Sequence, residues 1–174
     1  MVKTLTPKKK PPPPTAQQID AALAAVKKME APEGLRRMMA NARLKGVEKV
    51  HDAAFKRLAH VQAEGDPGSV EHGMWSAINA IEEIKRDDAG KTVRLSFLRR
   101  DIQKLGMVPA MDKLVSKDSP SERFEELIAR HFPELTAEAV VMRHADKFSE
   151  GAVARSTERL SDAGIDPTTL APAA

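Results

Sequence analysis

The sequence lacks cysteine and tyrosine, and aromatic residues make up only 3% of its 174 residues. Without cysteine the chain can form neither a disulfide nor a thiolate metal site, which suits a reducing compartment. No apolar run approaches the roughly 18 residues of a membrane span, and the N-terminus has no apolar segment typical of a secretory signal. We therefore expect a cytoplasmic protein that does not bind a membrane.

Signatures of catalysis and of cofactor binding are also missing. The five histidines show neither the HxxxH nor the HExxH spacing of metal ligands. The sequence has no Gly-rich phosphate loop, no Walker motif and no GxSxG nucleophile turn. We expect no metal, no cofactor and a function in binding, not in catalysis.

The residues that are plentiful favour helices. Ala, Leu, Met, Lys, Arg and Glu are common, and no segment alternates apolar and polar residues for the length of a strand. These features predict an all-α fold: a compact multi-helix bundle of about nine helices. The predicted organisation is a disordered basic Pro-rich tail (1–14), a single all-α domain (15–164) with potential sub-bundles (15–64 and 69–164), and a loose C-terminal tail (165–174).

Local signals place several helix ends. Thr15 and Gln18 have the spacing of a capping box, and Gly46 is typical of a helix C-terminus. The segment GDPGS (65–69) breaks the chain between the two potential sub-bundles. Ser119, followed by Pro120, predicts the start of a later helix with Ser119 as its N-cap.

Charge is distributed in alternating blocks. Residues 15–63 hold nine cations against five acids, and residues 64–90 hold two against seven. Residues 91–117 hold seven cations against two acids, and residues 118–174 hold six against eleven. Such blocks fit two kinds of partner. Basic blocks can contact nucleic-acid phosphates locally, or blocks of opposite sign can pair with another protein or with a second copy of the chain.

The most informative basic segment is KTVRLSFLRRDIQKLG (91–106). On a helical wheel its apolar residues Leu95, Leu98, Ile102 and Leu105 fall within about 80°. The side chains that lie off this stripe are candidates for contact with phosphates and base edges: Arg99, Arg100, Gln103 and Lys104.

Two further cations of this segment have a different expected role. Lys91 and Arg94 follow closely on Glu82, Glu83, Asp87 and Asp88, which end the preceding helix. A tight hairpin would bring these opposite charges together. We therefore expect Lys91 and Arg94 to pair within the chain.

Two other basic groups are candidates for nucleic-acid contact. One is a predicted helical hairpin with Arg36, Arg37, Arg43 and Lys45, and the other is the tail with Lys8, Lys9 and Lys10. Each also has an ordinary interpretation, because solvated helices are often rich in Lys and Arg and a lysine tail can simply keep a protein soluble.

One stretch resembles a known module. LRRMMANARLKGVEKVHDAAFKRL (35–58) is similar to a helix–Gly–helix module of assorted bacterial proteins, some of them endonuclease-associated. The resemblance covers about a seventh of the chain and includes no catalytic residue. It implies a link to DNA and brings no activity with it.

These observations favour a non-catalytic, nucleic-acid-associated protein that uses local basic patches, with duplex DNA as the preferred partner. The alternative is a protein–protein adaptor or structural subunit, including one that forms homo-oligomers through its alternating charge blocks.

Overall fold

The computed structural model describes residues 13–170, and every regular element in this range is a helix. The all-α prediction is confirmed. Residues 13–170 form nine α-helices: α1 (Ala16–Lys28), α2 (Pro32–Leu44), α3 (Glu48–Val61), α4 (Val70–Ala89), α5 (Ser96–Leu105), α6 (Met107–Val115), α7 (Glu122–Ala129), α8 (Ala137–Arg143) and α9 (Glu150–Asp162). The predicted N-terminal tail, apart from its last two residues, lies outside the described residues.

Most of the predicted helix ends are correct. The Thr15 hydroxyl accepts a hydrogen bond from the Gln18 N–H at 3.3 Å, and the Gln18 side chain accepts one from the Thr15 N–H at 3.0 Å. Gly46 follows α2 with a φ of 66°, a conformation that glycine adopts without steric cost.

The predicted cap at Ser119 is wrong. The N-cap of α7 is Ser121, whose hydroxyl accepts a hydrogen bond from the Phe124 N–H at 3.2 Å. The Ser119 carbonyl instead accepts a hydrogen bond from the Arg159 guanidinium at 2.9 Å. Because this contact comes from a distant part of the chain, the local sequence could not indicate it.

Helix α4 lies at the centre of the bundle, where it contacts α3, α6, α7 and α8. The hairpin of α2 and α3 packs on one part of it, and the pair of α8 and α9 completes the core. One continuous apolar cluster therefore includes residues from both potential sub-bundles. Among its most buried members are Leu35, Leu58, Met74, Ile78, Ile81, Met111 and Leu127.

Three short 3-10 helices complete the regular structure of the described range: Pro133–Leu135, Ala145–Lys147 and Pro167–Thr169. The last of these contacts α8 and α9, although it belongs to the predicted C-terminal tail. Within residues 13–170, no helix combines the length and the apolar character needed to cross a membrane.

Candidate nucleic-acid interface

The C-terminal half of α4 carries four carboxylates, and each of them binds a different arginine. We call this set the acidic end of α4 (Glu82, Glu83, Asp87 and Asp88). The shortest nitrogen–oxygen distances are 2.8 Å for Arg99–Glu82, 2.9 Å for Arg36–Glu83, 2.6 Å for Arg43–Asp87 and 2.9 Å for Arg130–Asp88. The arginines offset the unfavourable placement of negative charge at a helix C-terminus.

Arg99 fastens α5 to α4. Its Nε and Nη2 groups donate hydrogen bonds of 2.8 Å to the two oxygens of Glu82, and its guanidinium lies 5.0 Å from the ring centroid of Trp75. Glu82 also accepts a hydrogen bond from the Leu95 N–H at 2.8 Å, just before α5 begins. These hydrogen bonds raise the pKa of Arg99 above its usual value. The structure therefore gives Arg99 a role within the chain.

Arg36 and Arg43 join the hairpin of α2 and α3 to α4 in the same way. Arg36 donates two hydrogen bonds of 2.9 Å to Glu83 and a third of 3.2 Å to Gln62, and the bond to Glu83 raises the pKa of Arg36. Arg43 contacts Asp87 in a more exposed pair. Both arginines had been candidates for nucleic-acid contact, and both take part in interhelical ion pairs.

The prediction that Lys91 and Arg94 pair within the chain is wrong. Both side chains are exposed, and no carboxylate of residues 13–170 lies within 4.0 Å of either one. Helix α5 begins only at Ser96, so these two cations belong to an irregular segment. The carboxylates of the acidic end of α4 are instead paired with Arg99, Arg36, Arg43 and Arg130.

The side of α5 that points away from the core carries four candidate residues for an interface. We call it the α5 outer face (Phe97, Arg100, Gln103 and Lys104). Phe97 is 77% exposed, and the Arg100 guanidinium lies 5.5 Å from the centroid of its ring. In the described part of the chain, no carboxylate comes within 4.0 Å of Arg100 or Lys104, since the nearby Asp101 pairs with Lys113 at 3.1 Å.

Sequence reasoning had not selected Phe97. The sequence nevertheless indicated that Phe97 would be exposed, because at 100° per residue it lies about 120° from the centre of the apolar stripe. Leu105, which had been assigned to that stripe, is 47% exposed. It is the last residue of α5, where the chain turns at Gly106. The α5 helix therefore presents more apolar surface to solvent than its pattern predicted.

The other candidates lie apart from this helix. Arg37 is exposed on α2 and Lys45 is exposed just after it, and neither has a carboxylate within 4.0 Å among residues 13–170. Lys8, Lys9 and Lys10 lie outside the described residues. The described range holds 24 Lys and Arg against 25 Asp and Glu, so any attraction for a polyanion must come from local patches.

Comparison with protein-family models, with curated proteins and with solved structures found no match to this chain. Residues 13–170 also contain no group of three or more histidine or acidic side chains placed to hold a metal ion.

Proposed function

We propose that this protein binds nucleic acid, with duplex DNA as the favoured target, through the α5 outer face. The observation that carries the proposal is the exposed strip of Phe97, Arg100 and Lys104, where two cations with no carboxylate of residues 13–170 within 4.0 Å share one helix face with an exposed aromatic ring. Arg and Lys are the usual partners of phosphates, and an apolar side chain can contact the methyl group of thymine.

The dimensions of α5 fit this role. Its 10 residues extend about 15 Å at 1.5 Å per residue, and the major groove of DNA is about 12 Å wide. The pair of Arg99 and Glu82 fixes the helix on the bundle, so that its outer face is held in one orientation. A rigid helix loses little conformational entropy when it binds. The resemblance of residues 35–58 to a helix–Gly–helix module of assorted bacterial proteins, some of them endonuclease-associated, adds to this support.

The near neutrality of the described range determines how strongly the protein is expected to bind nucleic acid. Two phosphate contacts from α5, with further contacts from the lysine tail, give weak binding that depends steeply on salt. The test uses the full chain and a labelled duplex of about 20 base pairs, with fluorescence anisotropy between about 50 and 200 mM salt. We expect saturable binding that weakens as salt rises. An absence of binding to both duplex and single-stranded DNA and RNA at the lowest salt would refute the proposal.

A protein–protein adaptor or structural subunit is the second candidate. The observation that favours it is the exposure of Phe97 and Leu105 on one helix, because apolar side chains exposed together are typical of contact surfaces. Self-association through charge blocks gains less support, since the acidic end of α4 is already occupied by arginines of the same chain. Sedimentation across a salt series distinguishes self-association through charge blocks from association through the exposed apolar residues. An oligomer that dissociates with salt favours charge pairing, and one that persists favours an apolar contact.

A further inference from the structure

A cleft of about 360 Å³ lies where α3, the start of α4 and the end of α8 meet. Its walls include three histidines, one arginine and one glutamate: His60, His72, His144, Arg143 and Glu134. These residues are spread along the sequence without any recognisable spacing, and only the fold brings them together. The cleft is separate from the α5 outer face, because none of the residues of that face lines it. We call it the histidine–arginine cleft.

Arg143 is the principal charge of the cleft. It is partly buried, and its Nη1 group donates a hydrogen bond of 3.1 Å to the carbonyl oxygen of Glu134. The Glu134 carboxylate itself binds Lys56, and no carboxylate of the described range lies within 4.0 Å of Arg143. Burial lowers the pKa of Arg143, although an arginine in a protein keeps its proton. The cleft thus contains a partly desolvated cation with no carboxylate of residues 13–170 within 4.0 Å, and Glu134 favours its charge only from a greater distance.

His60 and His72 form a parallel pair beside it. Their ring centroids lie 5.6 Å apart, with an angle of 4° between the planes. The Ser76 hydroxyl donates its proton to the His72 carbonyl at 2.8 Å, so its oxygen accepts a hydrogen bond from His60 Nδ1 at 3.0 Å. This arrangement assigns the proton of neutral His60 to Nδ1. His60 Nε2 is then an acceptor in the neutral ring and becomes a second donor once the ring is protonated.

The surroundings of two of the rings, His60 and His144, disfavour their protonation. Burial lowers the pKa of His60, with further contributions from His72 and Arg143. Burial likewise lowers the pKa of His144. His72 adds an unsatisfied group, since its Nδ1 atom is buried and has no hydrogen-bond partner among residues 13–170. An anion in the cleft would favour the protonated imidazoles of His60 and His144.

The start of α4 forms another wall. Ser69 caps this 20-residue helix and lines the cleft together with Gly68. The N-terminus of a long helix carries partial positive charge and favours anions. The helix end thus adds to the field of Arg143. Nothing depends on the helix end alone, because the guanidinium and the imidazoles point to the same kind of ligand.

We propose that the histidine–arginine cleft binds the phosphate group of a small phosphomonoester. Arg143 would supply the main charge, and His60, His72 and His144 would supply hydrogen bonds. A phosphate group has three strong acceptor oxygens, whereas a carboxylate has only two, so phosphate makes better use of four converging side chains. The volume of about 360 Å³ is in the lower part of the range for small-molecule sites, about 300–1,000 Å³, which suits a phosphate on a compact organic body.

Isothermal titration calorimetry on the full chain tests this proposal. The probes are inorganic phosphate, glucose 6-phosphate and adenosine 5′-monophosphate, with glucose as the uncharged control. We expect saturable binding of at least one of the two phosphomonoesters and none of glucose. Saturation by inorganic phosphate alone would overturn the assignment to a phosphomonoester. The absence of saturable binding by all three phosphate probes at millimolar concentration would overturn the site itself.

Variants assign the binding to the cleft. Arg143→Gln should weaken binding about tenfold or more, the scale expected of charge-assisted hydrogen bonds, and Arg143→Lys should recover part of the loss. His144→Gln gives a second test that leaves the charge of Arg143 in place, and it should weaken binding by a smaller factor. Arg37→Gln is the matched control, because Arg37 is an exposed arginine elsewhere on the molecule.

Circular dichroism establishes that each variant is folded before its titration is interpreted. Unchanged affinity in folded Arg143→Gln would overturn the proposal, and so would an equal loss in Arg37→Gln. The effect of Arg143→Gln on phosphomonoester binding is independent of nucleic-acid binding by α5, which depends on Arg100 and Lys104. A variant that loses phosphomonoester binding is expected to retain its affinity for duplex DNA.

Discussion

Arg99 and Glu82 form a paired ion contact in which two guanidinium nitrogens each lie 2.8 Å from a carboxylate oxygen. The contact joins α5 to the middle of α4 and lies beside Trp75. Glu82 also binds the backbone N–H of Leu95 ahead of α5. One side chain therefore fixes both the start and the orientation of the helix. The contact distinguishes two roles among the cations of α5. Arg99 has a structural role, whereas Arg100 and Lys104 are exposed.

Replacing Arg99 with Gln should lower the stability of the fold. The variant loses two charge-assisted hydrogen bonds and leaves the largely buried Glu82 carboxylate without its main partner. We expect the free energy of unfolding to fall by about 2 kcal/mol, within the range for hydrogen bonds to charged groups. Urea denaturation followed by circular dichroism measures the change.

Arg100→Gln is the matched control for this prediction. Arg100 is exposed and contacts the exposed ring of Phe97, so its replacement should change the free energy of unfolding by no more than about 0.5 kcal/mol. Equal stability losses in the two variants would contradict the structural role of Arg99.

The buried pair of Arg159 and Glu138 predicts a larger effect. The two side chains are 4% and 2% exposed and lie 3.0 Å apart, linking α9 to α8. Burial raises the pKa of Glu138, and Arg159 opposes that rise. Arg159→Met should therefore lower the free energy of unfolding by about 3–5 kcal/mol, because it leaves an acid buried without its cation.

Removing both charges should be less harmful than removing one. Because Arg159→Met with Glu138→Leu leaves no unpaired buried charge, the double variant should recover part of the stability lost by the single one, while the Lys117 and Ser119 carbonyls still lack the hydrogen bonds that Arg159 donates. Urea denaturation of all three proteins tests this order. A double variant less stable than Arg159→Met would show that the pair contributes more than mutual neutralisation.

The histidine–arginine cleft predicts a dependence of stability on pH. The pKa of His60 is lowered in the folded protein, whereas in the unfolded chain it is about 6.5. Below that pH the unfolded chain binds more protons than the folded one, so the free energy of unfolding falls as the pH decreases. Burial lowers the pKa of His60 most, His72, Arg143 and Arg57 lower it further, and Glu134 opposes them.

Thermal unfolding between about pH 7.5 and 5.5 measures this dependence, in the range where histidine titrates. His60→Gln should weaken it, and the remaining dependence includes the contribution of His144. His131→Asn is the control, because His131 is exposed and has a φ of 63°, which asparagine tolerates. An unchanged pH profile in His60→Gln would contradict the assignment of this pH dependence to His60.

The helices could be predicted because their signals are local. The capping box at Thr15 and the glycine after α2 involve residues close together in the sequence, and both predictions are correct. Ser121, not Ser119, caps α7, and the Ser119 carbonyl binds a distant arginine. A single sequence does not reveal such contacts, which depend on how the helices pack.

The difference between local signals and contacts made by helix packing also explains which ion pairs could be predicted. The basic character of α5 was evident, but the arginine that binds Glu82 was not, since Lys91 and Arg94 are closer in sequence than Arg99. Arg36 and Glu83 are 47 residues apart, and only the packing of α2 against α4 brings them together. The histidine–arginine cleft had no local signal at all, because its residues come from four separate parts of the chain.

The most direct test of the account compares two double variants in their affinity for a duplex of about 20 base pairs at about 50 mM salt. Arg100→Gln with Lys104→Gln removes the two cations of the α5 outer face. Lys27→Gln with Lys28→Gln removes the same charge from the exposed end of α1. Fluorescence anisotropy should show an affinity about tenfold weaker for the first variant, with a salt slope smaller by about 2, and little change for the second. Equal losses in the two variants, or no loss in the first, would contradict the assignment of nucleic-acid binding to α5.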